Sequence, residues 1–322
     1  MRSIAAVALA LAAVLAGCGS DSGSGSDAEV TAVATTTEVA DLVRNVGGER
    51  VDVHGLLSPG ADPHGYEPRP SDATSIFDAA VVFKSGGEVD EWLDELVDNA
   101  GGDAEVVDLI DSVRTIESDG ETDPHWWQDP RNAQLAVAAI RDALAEADPG
   151  GRRVYERNAA AYSRELGRLD DQIAACIGKV PAAKRKLVTT HDSLRYFAHR
   201  YGIDVIGSVI PSLSTQAQPS AGDIADLVDQ VRDEGVEAVF PEAETSERLE
   251  QALAREAGAR VGDPLWADTL GGEGSGAETY VDAMAANTAA LAQGMSGGAV
   301  NCQALAAGSG SGAGAAGGLS SK

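Results

Sequence analysis

From about residue 132 to 177 the chain carries almost no strand signal. Ala, Leu, Arg, Glu and Asp dominate there, broken only at Asp148-Pro149-Gly150-Gly151. Val154, Tyr162, Leu166, Leu169 and Ile173 fall at helical spacing, the mark of an amphipathic helix. The flanks differ in kind. Before the segment, strand-like runs at 30–35, 51–57, 79–83 and 105–110 alternate with helical patterns at 38–46, 71–78 and 89–99. After it, runs at 187–190, 204–210, 238–240 and 260–263 alternate with helices at 194–201, 221–234, 246–257 and 278–293. Repeated strand–helix units imply parallel sheets covered by helices on both faces. The fold class is therefore α/β. The expected lobes cover residues 29–131 and 179–300, joined by a linking helix over 132–178.

Open α/β sheets hold ligands in loops beyond the carboxyl ends of their strands. Three of the five histidines lie in segments suited to that use. His64 stands in Asp62-Pro63-His64-Gly65-Tyr66-Glu67-Pro68, after an expected strand. His125 stands in Asp123-Pro124-His125-Trp126-Trp127-Gln128-Asp129-Pro130. His191 stands in Thr189-Thr190-His191-Asp192-Ser193, after a strand of the other lobe. Proline before the first two histidines favours loops, because it fixes φ and lacks an N–H. Neutral imidazole is the commonest protein ligand for borderline transition metals. Each histidine alone reads as an ordinary surface or core residue. Taken together they point to a metal site in the cleft between lobes. His54 and His199, inside an expected strand and an expected helix, are read as non-ligands.

Residues 1–17 combine Met1-Arg2 with an apolar run from Ile4 to Leu15 and read as a signal peptide. The run is shorter than the roughly 20 residues of a membrane-crossing helix. Leu15-Ala16-Gly17-Cys18 resembles a bacterial lipobox, which makes Cys18 the lipidated first residue of the mature chain. Residues 18–28 read as a flexible tether and 301–322 as a disordered tail. The expected protein is extracytoplasmic and lipid-anchored to the bacterial cell membrane. In that oxidising setting Cys176 and Cys302 can pair or remain thiols. If paired, they tie the end of the long helix to the end of the second lobe. With 51 acidic and 24 basic residues and a formal net charge of −27, nucleic acid and other polyanions are excluded as partners.

Further motifs follow in order: His191-Asp192-Ser193-Leu194-Arg195-Tyr196-Phe197-Ala198, Gln218-Pro219-Ser220, Val239-Phe240-Pro241-Glu242, and Asp268-Thr269-Leu270-Gly271 with Thr279-Tyr280 beyond. With the two Asp-Pro-His frames, and over about residues 30–295, the chain resembles the zinc- and manganese-binding solute-binding lipoproteins of ABC transporters, the cluster 9 or A-I group. The resemblance implies two (β/α) lobes with parallel sheets joined by a single long backbone helix. It implies metal ligands His64 and His125 from the first lobe and His191 and Asp268 from the second. Glu242, in its Phe-Pro-Glu step, reads as a carboxylate behind a ligand or as an acid at a strand end, and Trp126, Trp127 and Tyr196 read as packing around the site.

Three imidazoles and one carboxylate suit Zn2+. Manganese sites of the family more often place a carboxylate where His191 stands, so Mn2+ is the alternative. Residues 116–123 lack the long His-rich loop that zinc-specific members often carry. The implied function is high-affinity capture of zinc by a monomer and its delivery to an ABC-transporter membrane permease. A metal-binding surface adhesin of the same fold is the other reading, because fold does not dictate function. Four protein ligands leave little room for an activated water, and neither His-Glu-x-x-His nor Gly-x-Ser-x-Gly occurs, so the chain reads as a non-enzyme. A siderophore binder of similar plan needs a larger basic or aromatic pocket, which the paired Asp-Pro-His loops argue against.

Overall fold

The computed structural model describes residues 28–118 and 120–302. The expected signal peptide, Cys18, nearly all of the tether and the tail beyond Cys302 lie outside the described residues. The first lobe runs β1 (Val30–Ala34), α1 (Thr37–Gly47), β2 (Val51–Gly55), α2 (Pro70–Phe77), β3 (Val81–Lys84), α3 (Trp92–Ala100) and β4 (Glu105–Asp108). Its strands pair in the order β2–β1–β3–β4, all parallel. A short antiparallel hairpin follows, β5 (Glu117–Ser118) and β6 (Glu121–Thr122). Helices α4 (Pro130–Ala147) and α5 (Arg152–Ile177) lead to the second lobe. That lobe contains β7 (Lys186–Thr189), α6 (Arg195–Tyr201), β8 (Asp204–Ser208), α7 (Ala221–Glu234), β9 (Ala238–Val239), α8 (Arg248–Ala257), β10 (Arg260–Val261) and α9 (Tyr280–Met295). Here β8 pairs with β7 and β10 with β9, and a parallel bridge from Thr189 to Phe240 joins the two pairs. The order β8–β7–β9–β10 repeats that of the first lobe.

The inner strands read as unbroken apolar runs because both their faces are covered. Ala32, Ala34, Val81 and Phe83 enter a core shared with α1, α4 and α5, while Val33 and Val82 pack against Ile76 and Leu93 of α2 and α3. In the second lobe Leu187, Ala238 and Phe240 enter that same shared core. Val188 and Val239 face Leu227, Val228 and Leu253 of α7 and α8. Local signals set the helix ends. Thr36 accepts from the Val39 N–H to cap α1, and Ser220 with Asp223 forms a capping box at α7. Gly235 ends α7 at φ 61°, a left-handed conformation in which a Cβ is strained.

The expected linking segment is two helices. The break falls at residues 148–151, where Arg50 and Tyr155 both hydrogen-bond Asp148 Oδ2. Helix α4 packs against α5 and against α1 and β3 of the first lobe, so the long connector is α5 alone. Its 26 residues span ~39 Å. The buried face is Tyr155, Ala159, Tyr162, Leu166, Leu169, Ile173, Cys176 and Ile177. Tyr155 takes the inward position, and Val154 beside it is only half-buried. Helix α5 touches α1 of the first lobe and α6 and α9 of the second. Cys176 near its end is bonded to Cys302, with Cα atoms 6.0 Å apart. Cys302 falls within the expected tail yet is buried. Among the described residues no helix is long and apolar enough to cross a membrane.

Reducing this disulfide, whose sequence separation is 126, should lower stability by on the order of 4 kcal/mol. Metal binding should survive, because the bond lies at the far end of the lobe. Thermal melts and zinc titrations with and without reductant check both halves. A core continuous through both lobes and a single stiff connector also oppose wide hinge closure. Solution scattering should therefore give nearly equal radii of gyration for metal-free and metal-bound protein.

Candidate metal centre

His64, His191 and Asp268 sit beyond the carboxyl ends of the parallel strands. Past Gly55 the chain stays beside β1, with Leu56 and Leu57 donating to Ala34 and Thr35, and this delivers it into the His64 loop. His191 lies two residues past β7, and Asp268 follows the bridge between Glu242 and Leu265. His125 follows the small hairpin and opens the turn Trp126–Gln128. Asp62 Oδ1 accepts the His64 N–H and Asp123 Oδ1 the His125 N–H, at 2.9 Å each. Trp127 Nε1 and Gln128 Nε2 donate to the Ala267 carbonyl at 2.9 and 2.7 Å. The segment that carries His125 thus also fixes the residue before Asp268. Trp126 Nε1 donates to the Ser85 carbonyl at 3.0 Å, and Tyr196 Oη donates to the Asp123 carbonyl at 2.8 Å.

One donor atom from each of His64, His125, His191 and Asp268 lies within 4.8 Å of the others. His191 Nε2 is 3.1 Å from Asp268 Oδ2 and 3.2 Å from His125 Nε2. His64 Nε2 is 3.3 Å from Asp268 Oδ2, and His125 Nε2 is 3.6 Å from Asp268 Oδ1. Four donors each about 2.0–2.1 Å from a tetrahedral ion stand about 3.3 Å apart. His64 Nε2 and both Asp268 oxygens are buried and lack an aligned hydrogen bond despite this proximity. The atoms face a common centre instead of one another.

Carboxylates stand behind two of the rings. His191 Nδ1 meets Glu242 Oε2 at 2.7 Å, and His125 Nδ1 meets Asp123 Oδ1 at 2.8 Å. A carboxylate accepts, so each ring carries its proton on Nδ1 and turns an Nε2 lone pair inward. Two such lone pairs 3.2 Å apart call for a proton or a cation between them. Burial alone would lower the His191 pKa, but Glu242 and Asp268 outweigh it and hold it well above the usual imidazole range. Burial would raise Asp268, but His191 and His125 hold it well below the usual carboxylate range. Without metal, a proton on His191 supplies the positive charge the cluster needs. Two more acids border Asp268. Burial, aided by Asp268, pushes the Glu38 carboxyl up to about 8. Burial, then Glu242 and Asp268, holds Glu244 well above the carboxylate range, and Glu244 Oε1 accepts the Asp268 N–H at 3.3 Å.

The structure brings together the four residues that the resemblance selects and sets Glu242 behind His191. His54 and His199 are exposed on β2 and α6, outside the cluster. Sequence reasoning assigned no role to Asp123, Glu38 or Glu244. Asp123 had a signal, an acid two residues before a ligand histidine. Glu38 and Glu244 had none among 51 acidic residues.

Fold and site together define a two-lobed α/β binding protein with a buried histidine–carboxylate cluster of the kind that holds a divalent cation. The chain belongs to the family described as zinc-uptake complex component A, periplasmic, which matches residues 32–294. It is 36% identical over 267 residues to the manganese-binding lipoprotein MntA of Halalkalibacterium halodurans, covering 82% of this chain and 88% of that one. It is 30% identical to the metal ABC transporter substrate-binding lipoprotein SloC of Streptococcus mutans, covering 83% and 90%. The solved periplasmic zinc-binding protein TroA of Treponema pallidum superposes with a TM-score of 0.78 at 26% identity, over 83% of this chain and 99% of that one. The protein is thus a metal-binding substrate-binding component of an ABC transporter, not an enzyme.

Glu38 yields a test of the cluster's electrostatics. Raising a carboxyl from 4.5 to about 8 gives the folded, metal-free protein a stabilisation that is full below pH 4.5 and lost as pH rises through 8, because the unfolded chain ionises first. Glu38→Gln should flatten that dependence and raise the melting temperature of metal-free protein at and above pH 8. Melts across this range check it, and an unchanged profile would mean that Glu38 ionises normally.

Proposed function

We propose that this protein captures zinc outside the membrane through His64, His125, His191 and Asp268 and hands it to the permease of an ABC transporter. The observation that carries the reading is the buried set of four donors within 4.8 Å of one another, with His64 Nε2 and both Asp268 oxygens left without hydrogen bonds. Three nitrogens and one oxygen suit zinc, whereas manganese favours oxygen-rich sites. Manganese is the second reading, favoured by the description of the 36% identical MntA. We assign residues 29–131 and 179–300 as the two metal-binding lobes. A lipid on Cys18, followed by the short tether, would keep a monomer close to its permease while letting it reorient.

Metal analysis of the mature protein, followed by competition between the two ions, tests the assignment. About one zinc per chain, retained against manganese, is the expected result; preferential retention of manganese would move the assignment to that ion. Glu242→Gln should weaken zinc binding by about 10–100-fold through the loss of the carboxylate behind His191. Affinity should fall steeply below about pH 6.5, because protons compete for imidazole. It should keep rising above that pH, since His191 holds its proton beyond the usual range. Zinc titrations over a pH series measure both limbs.

A further inference from the structure

The two Asp-Pro-His frames are locally alike but engage differently. In each, the aspartate accepts the N–H of the histidine two residues on, at 2.9 Å. Asp123 places the same oxygen on the His125 ring, at 2.8 Å. Asp62 instead turns Oδ2 to the other lobe and accepts from Thr215 Oγ1 at 2.6 Å, across a sequence separation of 153. Among the described residues, His64 is therefore the imidazole of the cluster with no carboxylate bonded behind its ring.

The segment around Thr215 is anchored beside His191. Ile210 N–H donates to the Thr190 carbonyl at 2.7 Å, and Asp192 N–H donates to the Ser212 carbonyl at 3.0 Å. Successive serine turns, Ser214 N–H to Ser212 Oγ and Gln216 N–H to Ser214 Oγ, shape the loop that presents Thr215. Gln216 lies against Gly65, where an added Cβ would come within 2.7 Å of its Nε2. Beyond the cluster, Asp62, Gly65, Tyr66 and Gln216 line a cavity open to solvent. Residues 62–65 of one lobe and 212–216 of the other thus meet beside His64, next to a cavity open to solvent.

We propose that Asp62 and Thr215 form a latch that positions His64 and sets the rate at which bound metal leaves. The inference rests on the reading of His64 as a ligand. Opening the Thr215 bond removes the tie nearest His64, leaving the loop joined to the second lobe only further back, where Gly60 N–H meets Thr269 Oγ1 and the Leu270 carbonyl, while His125 and His191 keep the carboxylates that orient them. Loss of the latch should therefore act on dissociation more than on association.

Thr215→Val removes the hydroxyl at similar size, and Thr215→Ser retains it. Zinc release into a chromogenic chelator, followed by stopped flow, should be about five- to tenfold faster in the valine variant. The association rate and the one-to-one stoichiometry should match wild type, the metal-free melting temperature should fall by no more than the loss of one hydrogen bond, and the serine variant should restore both it and slow release. A valine variant that releases zinc at the wild-type rate overturns the latch. So does a valine variant with a lowered metal-free melting temperature that serine does not rescue, since Thr215 would then be merely structural. Wild-type protein that binds no zinc overturns the metal-site reading instead.

Discussion

Asp268 holds both carboxylate oxygens out of water and without a hydrogen bond, against three imidazoles, two of which turn an Nε2 lone pair inward. An unpaired buried carboxylate costs several kcal/mol, and removing water strengthens every repulsion in the cluster. No protein folds such a group for stability. Its neighbours make it tolerable. Glu242 and Asp123 hold the His191 and His125 rings with Nε2 inward. Trp127 and Gln128 fix the backbone before Asp268 from the opposite lobe. Burial holds Glu38 and Glu244 protonated further up the pH scale than ordinary acids, so they add little negative charge beside Asp268 near neutral pH. What remains unbalanced is a place for positive charge, filled by a proton or by a cation.

The rest of the fold holds that cluster together. Each lobe ends its strands at the cleft, and the core beneath is common to both sheets, with α5 running through it. Atoms from two lobes can keep separations of 3.2 to 3.6 Å only if the lobes do not drift. A continuous core and a long helix resist drift better than loops do, and the Cys176–Cys302 bond ties the chain after α9 back to the end of α5.

The periodic patterns made the architecture legible. Alternating strand and helix runs marked both lobes, because inner parallel strands buried on two faces read as apolar runs. The break at residues 148–151 was visible, but not that α4 would pack back on the first lobe, which depends on tertiary contacts with α1 and β3. Tyr155 over Val154 was open to the same pattern, since Tyr155, seven residues before Tyr162, lies within about 20° of it on the helix, whereas Val154 lies about 80° away. The loop histidines stood out by their frames. Asp268 stood out only by resemblance, because one carboxylate among 51 acidic residues carries no local mark. Thr215 had none at all, since a hydroxyl in a Ser/Thr-rich loop shows its partner only in three dimensions.

The division of the donors between the lobes bears on how a tight site can also let go. Two come from each side, His64 and His125 facing His191 and Asp268. Metal–ligand bonds are short, near 2 Å for zinc, so moving one donor away by about an ångström breaks its bond. A wide opening is unnecessary. His125 is tied through Asp123 and its turn, and His191 through Glu242 and Ser193. Among the described residues His64 has no carboxylate behind its ring; its backbone N–H is held by Asp62, which in turn holds Thr215, and Trp92 Nε1 holds the Pro63 carbonyl beside it. The donor without a carboxylate behind it is therefore the one whose loop, through Asp62 and Gly65, borders the cavity open to solvent. Release can begin there with a local loop movement while His125 and His191, held by their carboxylates, still define the site, and the same two are in place to receive the next ion.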